Sequence, residues 1–388
     1  MVTSTSATTA IAFSTIITAS SATSYPGLFV VARRGRHQHH HCRSGDDYRP
    51  LTRINLYRKF HDYAWDKLMT DNDDNKAALY DTVPDRLRTN ASPVKNASPG
   101  TNVVATIRSV SRFPFLEFDR KVIEDGHDNN GNIDSLNNPQ ALRLSRTAFL
   151  ETQTPTKEAL ITNMTIHVLN FVSFPSACIR HRNDSSNISG KERYLGLPIF
   201  GADIVTLPGN KHLVALDFQP VLPLDEENEE GKSIYSLFPE RYSLFEDRLR
   251  TLHSKYQKSD NDSIAPLLAW GGDIPEKARR FFSPYALWTR LGDKDAMDTV
   301  NTVVWEAFRE YTDLYMELMS AVQCDVDSGI LEFAHPSTTT INNNPVRRGQ
   351  LDYLEYRRTN DPARPMLQRL YGNEWSESVI GDVLFPDL

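Results

Sequence analysis

The apolar residues in the first half of the chain occur in short runs of the kind that form β-strands. These runs are rich in β-branched and aromatic residues and are separated by insertions of turn-forming residues. They are Val103–Val110, Thr147–Thr152, Met164–Phe174, Ile199–Leu207 and His212–Val221. The short insertion Pro208-Gly209-Asn210 follows the fourth run, and this predicts a hairpin between the last two strands.

Helical spacing occurs once before these runs and repeatedly after them. Between Ile54 and Met69 an apolar residue recurs every three or four positions, which predicts an amphipathic helix. Residues 70–102 are rich in Asn, Asp and Pro and are predicted to form a loop. The later predicted helices are Tyr242–Gln257, Thr299–Val322, Gln350–Thr359, Pro362–Tyr371 and Glu374–Leu384.

Strands followed by helices indicate an antiparallel sheet that helices cover, in an α+β or α/β/α arrangement. We expect residues 46–388 to form a single domain of this kind, because no shift in composition after Asp46 marks a second one.

The first 45 residues differ in composition from the rest. Ser, Thr and Ala dominate residues 2–24, and four arginines precede the first acidic residue, Asp46. This bias predicts a plastid-targeting leader, and a disordered tail is the alternative. Of the 43 basic residues, four lie in that leader, and without them the 50 acidic residues are in excess by 11. A general nucleic-acid-binding function is therefore not expected.

Two segments have the residue types of metal ligands. Residues 37–42 contain four histidines and Cys42, but a His tract in a leader is more often a compositional feature. Asp128–Asp134 resembles the middle of a calcium-binding loop, yet Gly126 and Asn137 stand where that loop needs carboxylates. We therefore expect no metal site.

Other common signatures are also missing from the sequence. Cys178 and Cys324 are far apart and form no CxxC pair, which argues against a disulfide framework or an iron–sulfur site. The chain has no GxGxxG, P-loop, GxSxG or HExxH motif. No apolar run approaches the roughly 20 residues of a membrane span, so membrane association is not expected.

Two polar residues interrupt the predicted strands. Asn170 lies within Ile166–Phe174, and Asp203 lies within Leu197–Val205 between Ala and Ile, where a carboxylate would be poorly solvated. A buried carboxylate must be paired, hydrogen-bonded or protonated. Asp203 therefore belongs either to a polar network of the core or to an active site as an acid.

A second carboxylate of interest is Asp361, which precedes Pro362. Asp followed by Pro is typical of a helix N-cap and the first helical position, and this pattern alone makes Asp361 a cap. Arg357 and Arg358 end the preceding predicted helix, where positive charges stabilise the helix dipole. Local pattern alone gives none of the three a function.

These polar residues lie in segments that resemble a known family. The segments are Val168–Pro175, Leu197–Gly209, Leu213–Pro220, Phe281–Trp288, Tyr353–Leu367, Tyr371–Trp375 and Val383–Phe385. They follow one another in order over most of residues 50–388, and they resemble the ferredoxin-dependent bilin reductases.

The resemblance implies a three-layer α/β/α sandwich with a central antiparallel sheet, in which a linear tetrapyrrole lies between the sheet and the C-terminal helices. A reduced 2Fe–2S ferredoxin would supply single electrons, and no flavin, nicotinamide or metal would be bound. Asp203 and Asp361 match the proton-donating aspartates of the family. Asn170 and Arg357 would contact the substrate, Arg357 through the propionates. Glu151 matches a family glutamate only loosely, so its role stays open.

Departures from the family pattern distinguish its branches. The branch that forms phycocyanobilin has His where Asn170 stands, and the plant phytochromobilin branch has Asp there and Asn in place of Asp203. The residues Asp361–Leu367 resemble the branch that reduces 15,16-dihydrobiliverdin to phycoerythrobilin more than the branch that reduces biliverdin at the 15,16 bond. A bilin carrier that performs no reduction is an alternative of another class.

Partners follow from the same resemblance. Ferredoxin is acidic, so we expect it to dock on a confined basic surface, and residues 345–371 have six arginines against three acidic residues. The alternative surface contains Lys277, Arg279 and Arg280. A second bilin reductase is a possible partner for transfer of the substrate, and the plastid stroma is the expected location.

Overall fold

The computed structural model describes residues 52–53, 56–70, 80–95, 97, 99–111, 140–154, 165–182, 194–207, 209–224, 236–257, 266–292, 294–334 and 344–386. The predicted leader and the two segments with metal-like residue types, 37–42 and 128–134, lie outside these residues.

The central element is an antiparallel sheet in which β10, β9, β8, β6, β5, β4 and β2 lie side by side in that order. β1 pairs with β5, and β3 pairs with β4. β7 and β11 form a separate pair. The strands are β1 (Thr52–Arg53), β2 (Tyr80–Asp81), β3 (Thr89–Pro93), β4 (Asn102–Ser111), β5 (Leu142–Thr154), β6 (His167–Pro175), β7 (Ile179–His181), β8 (Ile199–Leu207), β9 (Lys211–Gln219), β10 (Leu287–Leu291) and β11 (Leu331–Phe333).

Helices of the described residues precede, interrupt and follow the strands. They are α1 (Arg58–Thr70), α2 (Asp85–Arg88), α3 (Ser243–Tyr256), α4 (Glu276–Arg279), α5 (Ala296–Thr299), α6 (Trp305–Asp327), α7 (Pro345–Asn360), α8 (Arg364–Tyr371) and α9 (Asn373–Ser378). π-Helical turns lie at Val300–Val304 and Val379–Leu384, and a 3₁₀ turn lies at Glu240–Tyr242. None of the helices in the described part of the chain is long and apolar enough to cross a membrane.

Two hydrophobic cores lie on the two faces of the sheet, because successive residues of a strand point to opposite sides. In β6, Leu169 and Phe171 pack against α1, α3 and α6. Val168, Val172 and Phe174 belong to the other core, with α7, α8 and the C-terminal π-helical turn. The predicted three-layer α/β/α sandwich is confirmed.

The predicted strands all form, and β5 is longer than expected at both ends. The predicted loop over residues 70–102 is wrong for residues 80–81 and 85–93. There β2, α2 and β3 form, and β2 and β3 both pair with β4. A polar composition is compatible with an edge strand, since one side of such a strand meets solvent. The Asn and Pro residues of this segment indicated a loop, although the segment contains the edge strand β3.

The predicted hairpin joins β8 to β9. Gly209 and Asn210 have φ angles of 86° and 58°, and residues that tolerate positive φ are those that tight hairpin turns require. The turn sets the pairing of Leu207 with Lys211 and of Asp203 with Ala215. It thereby fixes the face of the sheet on which Asp203 lies.

Close approach of α7 to the sheet depends on a glycine. A Cβ atom at Gly349 would lie 1.6 Å from the carbonyl oxygen of Val221, at the end of the segment that follows β9. Any side chain at position 349 would therefore force α7 away from the sheet.

We expect Gly349→Ala to lower the free energy of unfolding by about 1–3 kcal/mol or more, as overpacking does, with a lower midpoint in urea unfolding. Gly381→Ala is the matched control, because nothing lies within 4 Å of a Cβ at that glycine, and it should be neutral or slightly stabilising. Equal midpoints for the two variants would contradict the close approach.

Candidate functional site

The candidate site lies on the face of the sheet that the C-terminal helices cover. Asn170 of β6 and Asp203 of β8 stand directly opposite each other in the antiparallel pairing. The Asn170 amide Nδ2 donates a hydrogen bond to Oδ1 of Asp203. Their neighbours in the adjacent strands are Ala148 of β5 and Ala215 of β9. The polar pair therefore projects from a floor of small side chains.

Helix α7 is held over this floor by hydrogen bonds at its first turns. Asn344 accepts hydrogen bonds from the backbone N–H groups of Val346 and Arg347 at 3.0 Å each, as an N-cap does. The same side chain donates to the carbonyl oxygen of Ala177 at 2.7 Å, and Gln350 donates to that of Pro175 at 3.0 Å. These contacts fix the rotation of α7 relative to β6.

Arg357 extends from the last turns of α7 to the sheet. Its Nη2 donates to Oδ2 of Asp203 at 3.3 Å, and its guanidinium lies 5.3 Å from the centre of the Phe385 ring. Burial would lower the pKa of Arg357, but the nearby Tyr353, Asp203 and Asp361 raise it above its usual range. Arg357 thus remains a cation between two carboxyl groups.

Asp361 lies at the C-terminal end of α7, and its predicted role as an N-cap of the next helix is wrong. Helix α8 begins at Arg364, and Oδ1 of Asp361 accepts from the backbone N–H of Ala363 at 2.7 Å. An Asx turn of this kind satisfies the carboxyl locally and leaves its second oxygen for other contacts.

Burial raises the pKa of the Asp361 carboxyl, and the negative charge of Asp203 acts in the same direction. The positive charge of Arg357 and the N–H of Ala363 offset part of this rise. The Asp361 carboxyl therefore holds a proton more readily than a carboxyl in water does.

Asp203 differs from the sequence-based expectation. Its side chain is 36% exposed, whereas its apolar flanks in the strand predicted poor solvation. The flanking Ala202 and Ile204 point to the opposite face and are fully buried there, so they do not enclose the carboxylate. Strand alternation explains the difference.

Glu151 is separated from these residues by the sheet. It accepts hydrogen bonds from Arg58 of α1 at 2.7 Å and from Gln153 at 3.0 Å. Its ion pair with Arg58 lies on the face of the sheet that α1 covers. Glu151 therefore acts as a structural ion-pair partner of α1 and not as a part of this site.

Two charged residues of the same face were not singled out from the sequence. Arg146 of β5 is fully buried, with Phe174 and Phe385 against its guanidinium at 4.4 and 4.5 Å. Asp217 of β9 is buried and accepts from Ser283, at 2.5 Å from Oγ and 3.0 Å from N. Asp217 interrupts an apolar strand, as Asp203 does, and this signal could have found it. Arg146 stands between Ser145 and Thr147, where no apolar run marks it.

The arrangement is suited to moving protons. Two carboxyls of different solvent exposure flank one guanidinium, and an amide orients the more exposed of them. In the described part of the chain, no three His, Cys, Asp or Glu residues cluster as metal ligands would.

Comparison with known proteins identifies relatives of this chain. The family described as ferredoxin-dependent bilin reductase matches residues 157–386. Phycoerythrobilin:ferredoxin oxidoreductase from Nostoc punctiforme is 36% identical over 220 residues, which are 57% of this chain and 66% of that protein. The protein of the same name from Gloeobacter violaceus is 39% identical over 196 residues, 49% of this chain and 62% of that protein. The matches thus span less than two thirds of these relatives.

A solved structure shares the fold. Phytochromobilin synthase from tomato, determined in complex with biliverdin, superposes with a TM-score of 0.50 and 20% sequence identity. The superposition covers 85% of this chain and 82% of that protein. At this identity the likeness supports the architecture of the sandwich.

The buried Asp217 leads to an expected pH dependence of stability. Burial raises its pKa from the ordinary 3.8 to about 7, against the opposing hydrogen bonds from Ser283. The folded protein therefore keeps a proton that the unfolded chain releases, and raising the pH from about 4 to about 7 destabilises the fold. A shift of this size corresponds to at most about 4 kcal/mol.

We expect Asp217→Asn to reduce the difference in melting temperature between pH of about 5 and about 8, because Asn does not titrate. Asp85→Asn is the control, since the Asp85 side chain is 97% exposed. An Asp217→Asn variant with the pH dependence of the wild type would contradict the assignment.

Proposed function

The chain belongs to the ferredoxin-dependent bilin reductase family, and we propose that it reduces 15,16-dihydrobiliverdin to phycoerythrobilin with electrons from reduced ferredoxin. The observation that supports this most directly is the pair of carboxyls, Asp203 and Asp361, around Arg357 on the sheet face that the C-terminal helices cover. Both relatives described above are named for phycoerythrobilin.

In the proposed reaction the main chemical task of the protein is to supply protons to the substrate. Each reduction of a bilin double bond adds two electrons and two protons, and the conjugated substrate can hold an unpaired electron between the two deliveries. The protein must therefore bind the bilin, exclude water from its reacting carbons and supply protons to chosen positions. Positioned carboxyl groups with a raised pKa are suited to that task.

Asp361 and Asp203 would divide this task. Asp361 is nearly enclosed, and the raised pKa of its carboxyl favours the protonated form that a donor needs. Asp203 is partly exposed, so its carboxyl can exchange protons with solvent between electron deliveries. We propose that both are proton donors and that Arg357 couples their charges.

Asn170 and Arg357 would also contact the substrate. Oδ1 of Asn170 and Nε of Arg357 are buried and have no hydrogen-bond partner among the described residues. The first can accept from a pyrrole N–H, and the second can donate to a bilin oxygen. The predicted contact of Arg357 with a propionate can use Nε while Nη2 holds Asp203.

The test is an anaerobic incubation of the protein with a bilin, ferredoxin and a source of electrons. With 15,16-dihydrobiliverdin we expect the absorbance to shift to shorter wavelength as conjugation shortens, and phycoerythrobilin to appear on chromatography. Consumption of biliverdin instead would assign the chain to the 15,16 bond. A bound but unchanged chromophore with either bilin would indicate a carrier.

In the same assay, Asp203→Asn and Asp361→Asn should bind the bilin but stall at a radical or partly reduced species, with turnover lowered about 100-fold or more. Asn at position 361 can still accept from Ala363, so the turn should persist and the melting temperature should change little. Asp247→Asn, on the exposed side of α3, is the control. Wild-type turnover in either site variant would refute its role.

Fewer arginines of residues 345–371 are accessible than their count in the sequence suggested. Arg357 is half-buried and paired with Asp203, and Arg364 forms an ion pair with Glu377. Arg348 and Arg369 are exposed and Arg347 is half-buried. We propose that ferredoxin docks at Arg347 and Arg348, at the start of α7, and that the protein functions in the plastid stroma after removal of its leader.

Charge reversal at Arg347 and Arg348 should slow ferredoxin-driven turnover on the order of 10-fold at low salt and weaken its dependence on salt. Bilin affinity and reduction by a small chemical reductant should change little. Reversal of Lys277 and Arg279, on the exposed side of α4, is the comparison. A larger effect of that second pair would place the docking surface there.

A further inference from the structure

Arg146 is a cation in the middle of the central sheet. It lies on β5 opposite Val172 of β6, two residues from Asn170 along that strand. Because residues two apart share a face, Arg146 and Asn170 point to the same side of the sheet. Its side chain is fully buried. Arg357, Tyr353 and Asp361 are close enough to act on its charge.

The contacts of Arg146 are aromatic. Its guanidinium carbon lies 4.4 Å from the centre of the Phe174 ring, which belongs to β6, and 4.5 Å from that of Phe385, which follows the C-terminal π-helical turn. Such stacking stabilises the planar cation through the faces of the rings. It uses none of the N–H donors, which lie at the edges of the guanidinium plane.

The N–H donors of Arg146 are unused. Nε, Nη1 and Nη2 are buried and have no hydrogen-bond partner among the described residues. Arginine remains protonated in proteins, and a buried cation without acceptors is costly. Nearby Arg143 and Arg357 add to this cost through like charge. A ligand that supplies hydrogen-bond acceptors would remove this cost.

We infer that Arg146 is a further substrate-binding residue, whose buried N–H groups receive an oxygen of the bilin. This inference rests on the proposed function. A linear tetrapyrrole has two kinds of oxygen that accept without donating, the propionate carboxylates and the lactam carbonyls. Either kind would complete the hydrogen bonding of the guanidinium, and a carboxylate would also neutralise its charge.

The test uses 15,16-dihydrobiliverdin and its dimethyl ester, titrated by absorbance without ferredoxin into the wild type and Arg146→Met. We expect the variant to bind the free acid about 10-fold or more weakly than the wild type does. If the partner is a propionate, the ester will bind both proteins equally. If it is a lactam carbonyl, the variant will lose the same factor for both ligands. Unchanged affinity for both would overturn the inference.

Stability measurements separate binding from a structural role. Without bilin, Arg146→Met should melt at the same temperature as the wild type or higher, because it removes a buried cation that has no acceptor. A lower melting temperature with unchanged bilin affinity would show that the cation is structural only. Arg108→Met is the matched control, since Arg108 is an arginine of the adjacent strand β4 that stacks on Trp65 of α1.

Arg146→Lys keeps the positive charge but loses the planar set of N–H donors of the guanidinium. Its bilin affinity can be measured in the same way if Arg146→Met does not fold. We expect it to bind the free acid with intermediate affinity, and wild-type affinity for both ligands would again overturn the inference. A wild-type protein that binds neither bilin would overturn the proposed function with it. Binding that is insensitive to position 146 overturns only the assignment of Arg146.

Discussion

The ion pair between Arg357 and Asp203 connects the C-terminal helices to the sheet. Arg357 lies on α7 and Asp203 on β8, 154 positions apart in the chain, so the pair exists only when both layers are assembled. The guanidinium of Arg357 also acts on a second carboxyl, that of Asp361. Its positive charge limits how far burial raises the pKa of Asp361. The protonation of the site therefore depends on tertiary packing.

Much of this could be predicted from the sequence because the strands are marked by apolar runs and the site residues interrupt them. Asn170 and Asp203 were found in this way, and the family resemblance added Arg357 and Asp361. Exposure could not be predicted, because it depends on which face of the strand a residue occupies and on what covers that face. Asp203 proved more exposed than its neighbours suggested, and Arg146 proved fully buried.

Buried polar residues lie on both faces of the sheet. On the face of α1, Tyr57, Thr206 and His212 form a continuous set of hydrogen bonds of 2.6 to 3.3 Å. On the face of α7, the N–H donors of Arg146 and the hydroxyl of Tyr353 are buried and have no partner among the described residues. A satisfied network favours a single rigid packing. The network around Tyr57 therefore favours a fixed packing on the α1 face, and the unpartnered donors on the α7 face can bind a polar molecule.

The pairing of Asn170 opposite Asp203 has a consequence for how such sites diversify. Residues directly opposite in antiparallel strands are neighbours whatever their type, so the residue at position 170 decides what the Asp203 carboxylate meets from β6. A histidine there would place a second titratable group against Asp203, and an aspartate would place a like charge. The backbone pairing of β6 with β8 places position 170 opposite Asp203 through main-chain contacts. Substitution at position 170 can thus change the group that meets the Asp203 carboxylate without requiring a new backbone arrangement.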